Sequence, residues 1–197
     1  MMNGRKIAFS YENPFDIKFI SVAEKINTNI FRPLNFTPNM ITTLSLLCGL
    51  FSCYSLYNKN FKMFCILFAL SYLFDCADGN YARKYDMVTS FGDFFDHISD
   101  TVKIVLFLLI IYNFKEILTN RERTLIITSV IILIILSLIH IGCQEKIYNN
   151  KDVSTLSFTK NLCVNGENIN VTRFFGSGTL ILYIIFIGIW LDIKKFR

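Results

Sequence analysis

Five aspartates lie close together in the most apolar part of the chain. Asp75 and Asp78 close one apolar run, and Asp93, Asp96 and Asp100 open the next. An ionised acid at the middle of a membrane helix costs roughly 2.5–3.5 kcal/mol on insertion scales. Acids in such places usually face a cavity and serve a function. This stretch is therefore the candidate functional site.

The spacing of these acids predicts that they converge. Asp75 and Asp78 are three residues apart, which places them on one face of a helix. Gly92, Asp96 and Asp100 follow one another at steps of four and share a face of the next helix. A short connection makes the two helices antiparallel neighbours, so the two acidic faces can meet across a narrow gap.

Carboxylates that face one another repel unless cations neutralise them. Hard oxygen ligands suit Mg²⁺, Mn²⁺ or Ca²⁺ rather than zinc. Two Mg²⁺ ions about 4 Å apart are a common arrangement for displacement at phosphorus. Gly79, Ala82 and Gly92 are small where backbones or a ligand must come close. Arg83 follows Ala82 and is placed to meet a phosphate, so the pattern predicts metal-dependent chemistry on a phosphate compound.

The elements that would position these residues are long apolar helices. The sequence is 53% hydrophobic, and the excess over a soluble domain lies in long runs, which indicates a bilayer. Thr37 can cap the first helix, and Pro38 suits its first turn. We predict an all-α integral membrane bundle. Its five clear transmembrane helices are expected at residues 37–57, 61–82, 90–114, 123–143 and 173–193.

The N-terminal part of the chain differs from the rest. Residues 15–31 space apolar side chains at helical intervals, which predicts an amphipathic helix on the membrane surface. The alternative is a soluble N-terminal helix packed on the body of the protein. We expect a juxtamembrane segment over 1–36 and a transmembrane domain over 37–197.

Basic residues flank the apolar runs and form no dense patch. The net charge of +5 is therefore attributed to membrane topology, and no nucleic-acid partner is expected. Lysines and arginines number 11 at the end of the bundle that carries the acids and 8 at the opposite end. This difference predicts a multi-pass protein with its N-terminus and its active site near the cytosolic face.

The cysteines show neither paired nor zinc-type spacing. We expect them to act as small apolar residues rather than as a disulfide framework. The six are Cys48, Cys53, Cys65, Cys76, Cys143 and Cys163.

The acidic stretch resembles a known family signature. The chain matches D-x2-D-G-x2-A-R-x8-G-x3-D-x3-D through Asp75, Asp78, Gly79, Ala82, Arg83, Gly92, Asp96 and Asp100. This resembles the full signature of the CDP-alcohol phosphotransferases. The segment 37–42, TPNMIT, is similar to the Pro-Asn-x-x-Thr start of the family's first span. The resemblance covers about residues 37–112, and family members usually have six spans where this chain shows five.

The resemblance implies a set of metal ligands. Asp75, Asp78 and Asp96 would hold two divalent cations, Mg²⁺ or Mn²⁺, and Asp100 would touch the second. Asp100 would also be the general base that takes the proton of the acceptor hydroxyl. Arg83 would be the second catalytic residue.

The resemblance also implies a nucleotide site. Gly79, Arg83 and Thr89 would contact the CDP group, while Asn39 and Thr42 would line the nucleotide side. The acceptor oxygen would attack the β-phosphorus, and CMP would leave without a covalent intermediate.

The substrates stay open between two branches of the family. The donor is either CDP-diacylglycerol with a small hydroxylated acceptor, or a small CDP-alcohol with diacylglycerol as the acceptor. The short chain favours CDP-diacylglycerol as donor, whereas the residues around His97 resemble the choline and ethanolamine phosphotransferases. The resemblance further suggests a homodimer in the bilayer.

Two other functions compete with this one. A cation transporter would carry acids on several spans, but here they are confined to two, and Arg83 would oppose cation passage. An inactive relative is suggested by the missing span. Three further side chains each have two interpretations. Arg173 either anchors the topology or binds an anionic acceptor substrate, and Lys103 either pairs with an acid or reaches toward the pocket. Asp93 is either solvated or supports the ligands of the site.

Overall fold

Five long helices account for most of the residues that the structure describes. The computed structural model describes residues 4–148, 155–163 and 168–195, and these contain helices and turns without a strand. The helices are α1 Pro14–Ile26, a π-helical turn Asn27–Phe31, α2 Pro38–Tyr57, α3 Phe61–Lys84, α4 Ser90–Asn113, α5 Asn120–Tyr148, a 3₁₀ turn Ser157–Leu162, α6 Ile169–Thr172, a 3₁₀ turn Arg173–Phe175 and α7 Ser177–Lys195. The all-α prediction is confirmed.

Side chains at the helix starts set the boundaries of the site helices. The hydroxyl of Thr37 accepts a hydrogen bond from a backbone N–H in the first turn of α2. Pro38 suits this first turn because it has no N–H group that would need an acceptor. Asn60 caps α3 in the same way, and Thr89 caps α4. Because the connections before α3 and α4 are only a few residues long, α2, α3 and α4 run antiparallel in turn.

The bundle is held together by close packing of aromatic and small residues. The rings of Phe64 and Phe107 stack 6.0 Å apart between α3 and α4. A Cβ atom at Gly188 of α7 would lie 2.7 Å from the Phe64 ring, so only glycine allows this approach. Small residues at such crossings are typical of membrane bundles, where helices associate through packing rather than through the hydrophobic effect.

The outside of the bundle is apolar. Three helical segments are long and apolar enough to cross a membrane: Pro38–Tyr57, Asn120–Ile147 and Ile169–Lys195. Large side chains such as Phe51 and Phe186 are exposed on these segments. The chain is an integral membrane protein, and a lipid environment explains its apolar surface. α3 and α4 carry the acidic residues, and the full number of crossings stays a prediction.

The amphipathic helix α1 lies against α3. Ala23 is buried in this contact, while Phe15 and Val22 are exposed. Asp16 is also buried, and its carboxylate accepts a hydrogen bond of 2.5 Å from the Tyr72 hydroxyl. The N-terminal helix is therefore joined to the transmembrane body by a polar contact as well as by packing.

The prediction that no cysteine forms a disulfide is wrong for one pair. Cys143 and Cys163 are bonded, with their Cα atoms 5.1 Å apart. The chain returns to α5 after its C-terminal end, and Gly142 leaves room for the backbone of Thr159. This return brings Cys163 beside α5, which cysteine spacing alone does not indicate. Free thiols are found at Cys48, Cys53, Cys65 and Cys76.

Candidate active site

Three of the four predicted metal ligands meet at the acidic end of the bundle. One carboxylate oxygen each from Asp75, Asp96 and Asp100 lies within 4.8 Å of the other two. α3 presents Asp75 near its C-terminal end, and α4 presents the other two near its N-terminal end. The antiparallel pairing of two acidic faces is thus found as the spacing predicts.

Two oxygen atoms of this group have no hydrogen-bond partner among the residues that the structure describes. They are Oδ1 of Asp75 and Oδ1 of Asp96, and both are buried. Buried polar atoms are usually satisfied, so such a pair needs an explanation. A divalent cation would supply it, because Mg²⁺ and Mn²⁺ prefer carboxylate oxygens. The residues present therefore fit a divalent metal.

Asp78 is not a member of the 4.8 Å group and is held by α2. Its Oδ2 atom accepts a hydrogen bond of 2.6 Å from the Thr42 hydroxyl. Asp78 is 3% exposed, so this bond satisfies an acid that water does not reach. The hydroxyl of Thr42 also lies 3.1 Å from the Pro38 carbonyl oxygen. Thr42 was predicted to line the nucleotide side, and its contact in the structure is to a predicted metal ligand.

Arg83 and Gly79 lie together in the last turns of α3, after Asp75 and Asp78. A Cβ atom at Gly79 would lie 3.2 Å from one terminal nitrogen of Arg83, so the guanidinium group covers this bare part of α3. The Nε atom of Arg83 donates to the backbone oxygen of Gly4 at 2.9 Å. The N-terminal segment therefore reaches the predicted nucleotide side, a contact that the sequence did not indicate.

Asn39, Thr89 and Gly92 meet where α2 and α4 begin. A Cβ atom at Gly92 would lie 3.0 Å from the Thr89 hydroxyl and 3.1 Å from Oδ1 of Asn39. The hydroxyl of Thr89 accepts a hydrogen bond from the Gly92 backbone, so its contact in the structure is a helix cap. The amide of Asn39 stands beside the helix N-terminus, which favours a bound anion.

Lys103 reaches into the acidic group from the next turn of α4. Its ammonium nitrogen lies 2.7 Å from Oδ1 of Asp100 and 3.6 Å from Oδ1 of Asp75. It also donates to the hydroxyl of Ser45 at 3.1 Å. Lys103 thus pairs with acids, and it also lines the cavity beside Asp100, so the structure supports both interpretations of this residue.

A cavity of about 180 Å³ adjoins Asp100 between α3, α4, α5 and α7. His97 lines it, and the ring nitrogens of His97 lie 3.5 Å from an Asp93 oxygen and 3.7 Å from an Asp96 oxygen. Arg173 is not among the lining residues. Its guanidinium group instead donates to the backbone oxygen of Ser10.

A buried acidic pair lies between the N-terminal segment and the bundle. Burial, together with the neighbouring Asp16, raises the pKa of Glu12 to about 7. Burial also raises the pKa of Asp16 to about 6, although hydrogen bonds from Tyr72 and the Gly178 backbone oppose the shift. The side-chain amide of Gln144 on α5 donates to Glu12 at 3.4 Å.

The fold and the site define a membrane-embedded protein with a carboxylate group fit for a divalent metal. Residues 35–193 match the family model for CDP-alcohol phosphatidyltransferase. The chain therefore belongs to the CDP-alcohol phosphatidyltransferase family, which supports a phosphotransferase and not a cation transporter.

Two curated relatives are similar to part of the chain. Both are named CDP-diacylglycerol–serine O-phosphatidyltransferase and come from Helicobacter pylori, strains J99 and 26695. They are 31% and 30% identical over an alignment of 91 residues, and the match covers 43% of this chain and 38% of each relative. No solved structure is significantly similar to the chain.

Proposed function

We propose that the chain transfers a phosphatidyl group from CDP-diacylglycerol to the hydroxyl of a small acceptor and releases CMP. The observation that carries this proposal is the meeting of Asp75, Asp96 and Asp100 within 4.8 Å, with two buried oxygens that have no hydrogen-bond donor in the described part of the chain. The names of the two Helicobacter pylori relatives support CDP-diacylglycerol as donor and make serine the first acceptor to test.

Asp100 is the proposed general base. Its side chain is 41% exposed and borders the cavity, so an acceptor hydroxyl there can reach its carboxylate. The hydroxyl oxygen forms a bond to the β-phosphorus, the bond from that phosphorus to the CMP oxygen breaks, and the proton passes to Asp100. Divalent cations bound by Asp75, Asp78 and Asp96 would neutralise the charge of the diphosphate.

The nucleotide would lie on the side of Arg83. The guanidinium group over Gly79 can hold a phosphate through two parallel hydrogen bonds. Asn39, at the start of α2, and Thr89, at the start of α4, would bind the rest of the CDP group. Thr42 would act on this side through Asp78, whose carboxylate it fixes.

One observation favours a second candidate, the choline and ethanolamine branch. The cavity beside Asp100 is lined mainly by apolar side chains, among them Phe68, Ile104 and Leu180. Such a lining suits the acyl chains of diacylglycerol better than a polar alcohol. In this case diacylglycerol is the acceptor, and the donor is a small CDP-aminoalcohol.

A single assay separates the candidates. Purified protein in lipid nanodiscs with Mn²⁺ is given CDP-diacylglycerol with serine, glycerol phosphate or inositol, or CDP-choline or CDP-ethanolamine with diacylglycerol, and CMP is measured. We expect CMP from CDP-diacylglycerol and loss of that activity in Asp100→Asn. Asp192→Asn, on α7 outside the cluster, is the matched control and should stay active. Absence of CMP with every pair would refute the proposal and favour an inactive relative.

A further inference from the structure

Lys103 brings a positive charge into the site that the family signature does not contain. Three acceptors surround its ammonium group: Oδ1 of Asp100 at 2.7 Å, the hydroxyl of Ser45 at 3.1 Å and Oδ1 of Asp75 at 3.6 Å. The ammonium group donates to Asp100 and Ser45, whereas Oδ1 of Asp75 lies beyond hydrogen-bond distance and is attracted by charge alone. Lys103 is 5% exposed.

The surrounding helices are shaped to hold this side chain. An ideal Cβ atom at Gly49 of α2 would lie 2.3 Å from Cδ and 2.6 Å from Cγ of Lys103. Only glycine therefore lets the aliphatic part of Lys103 pass between α2 and α4. The thiol of Cys53 lies 3.7 Å from the Lys103 backbone oxygen, and the Ser45 hydroxyl donates to the Ser71 carbonyl oxygen at 2.9 Å.

The ammonium group lies at the edge of the three-carboxylate group. Asp75 and Asp100 belong to that group, and their Oδ1 atoms are the atoms that approach Lys103. A Mg²⁺ ion needs its oxygen ligands at 2.0–2.1 Å in a nearly octahedral arrangement. The Lys103 ammonium group pairs with the same two carboxylates. Their Oδ1 atoms therefore face Lys103 rather than a second Mg²⁺ ion.

We propose that Lys103 takes the place of the second divalent cation, so that the chain binds one metal ion where its family signature implies two. The remaining ion is held by Asp75, Asp78 and Asp96, and Asp100 is positioned by Lys103 instead of by metal. Lys103 is thus a positioning residue for the proposed base. This inference rests on the proposed function, because it concerns the same site.

The experiment counts metal ions rather than turnover. Purified protein in detergent is titrated with Mn²⁺, and the free ion is followed by its electron paramagnetic resonance signal. We expect one Mn²⁺ per chain in the unaltered protein and two in Lys103→Met, which keeps the unbranched side chain but removes its charge. Lys103→Gln is a second neutral variant. Lys62→Met, an exposed lysine on α3, is the matched control and should bind one ion.

A further variant tests the proposal without changing Lys103. If the single ion is held by Asp75, Asp78 and Asp96, Asp100→Asn should still bind one Mn²⁺. If Asp100 were a ligand, its affinity should fall by roughly tenfold or more, the range typical of disturbed metal ligation. Such a fall would overturn the proposal even if neither lysine variant folds.

The other outcomes separate this inference from the proposed function. Two Mn²⁺ ions in the unaltered protein, or one in both folded neutral variants, would refute the role of Lys103. CMP release in the assay above would nevertheless leave the proposed function intact. No bound Mn²⁺ together with no CMP release would refute both.

Discussion

At the scale of single residues, the site depends on how α2 supports the acids of α3. The hydroxyl of Thr42 is the donor at 2.6 Å to a carboxylate that is almost wholly buried, Asp78. Groups that hold metal ligands in place typically matter nearly as much as the ligands. We therefore expect the start of α2, with Asn39 and Thr42, to be part of the site and not only the start of a span.

Thr42→Val removes this hydrogen bond and keeps the shape of the side chain. We expect Mn²⁺ affinity and CMP release to fall by roughly 10- to 100-fold, because the Asp78 carboxylate loses its donor. Thr43→Val is the matched control, since Thr43 is exposed and its hydroxyl donates to the Asn39 backbone oxygen of its own helix. Equal losses in both variants would show that the effect comes from α2 as a whole.

The residues of the site differ in how far the sequence could predict them. Asp75, Asp96 and Asp100 follow from helical periodicity, because residues three and four apart share a face. The contacts of Thr42 and Lys103 do not follow, because they depend on how α2 and α4 are placed relative to α3. A lysine three residues after Asp100 is compatible with an ion pair or with an open pocket, and only the packing decides.

At the scale of elements, the close crossing of α2 and α4 depends on one glycine. Gly49→Ala places a methyl group where the aliphatic part of Lys103 passes. We expect destabilisation by about 1–3 kcal/mol, the usual cost of overpacking, seen as a lower Tm of the purified protein. Ser55→Thr also adds one methyl group, but at a half-buried position of α2 away from Lys103, and it should leave the Tm unchanged. An unchanged Tm in Gly49→Ala would mean that α2 and α4 can separate at no cost.

The N-terminal segment contributes a dependence of stability on pH through Glu12. Its pKa of about 7 lies above the ordinary value of 4.5, mainly because the group is buried. A raised pKa in the folded state means that the neutral form stabilises the fold. That contribution is complete below pH 4.5 and is lost as the pH rises through 7. The charged groups that act on Glu12 are Asp16, Arg83, Lys6 and Arg5.

Glu12→Gln keeps the neutral form at every pH. We expect the variant to be more stable than the unaltered protein at pH 8, by roughly 3 kcal/mol at most, and about equal to it at pH 4.5. Thermal unfolding at both pH values checks this. Glu116→Gln, exposed at the opposite end of the bundle, should show no gain at pH 8. A gain for Glu12→Gln at pH 4.5 as large as at pH 8 would contradict the assignment to ionisation.

The long elements were predictable, and their irregular connection was not. Apolar runs bounded by polar turns predict α2, α3 and α4 to within two residues at either end. α5 runs to Tyr148, past the predicted end at residue 143, because its last turns pack against the returning segment rather than against lipid. That return depends on the pair Cys143 and Cys163, which lies far apart in sequence.

At the scale of the whole molecule, the two ends of the bundle differ in charge and in bonding. The sequence assigns 11 basic residues to the acidic end and 8 to the opposite end, which predicts that the acidic end faces the cytosol. The same end carries the Cys143–Cys163 disulfide, and disulfides are rare in the cytosol. The basic residues and the disulfide therefore favour opposite orientations of the protein in the membrane, and a direct test can decide between them. The homodimer also stays a prediction, because the structure contains a single chain.

The orientation is tested with single cysteines placed at the two ends. Met87→Cys lies between α3 and α4 at the acidic end, and Lys115→Cys follows α4 at the other; both positions are exposed. We expect a maleimide that cannot cross membranes to label Lys115→Cys in intact cells and Met87→Cys only after permeabilisation, because the active site should face the cytosol. The unaltered protein gives the background from its own thiols. Labelling of Met87→Cys from outside would reverse the orientation, and the oxidising environment there would then account for the bond between Cys143 and Cys163.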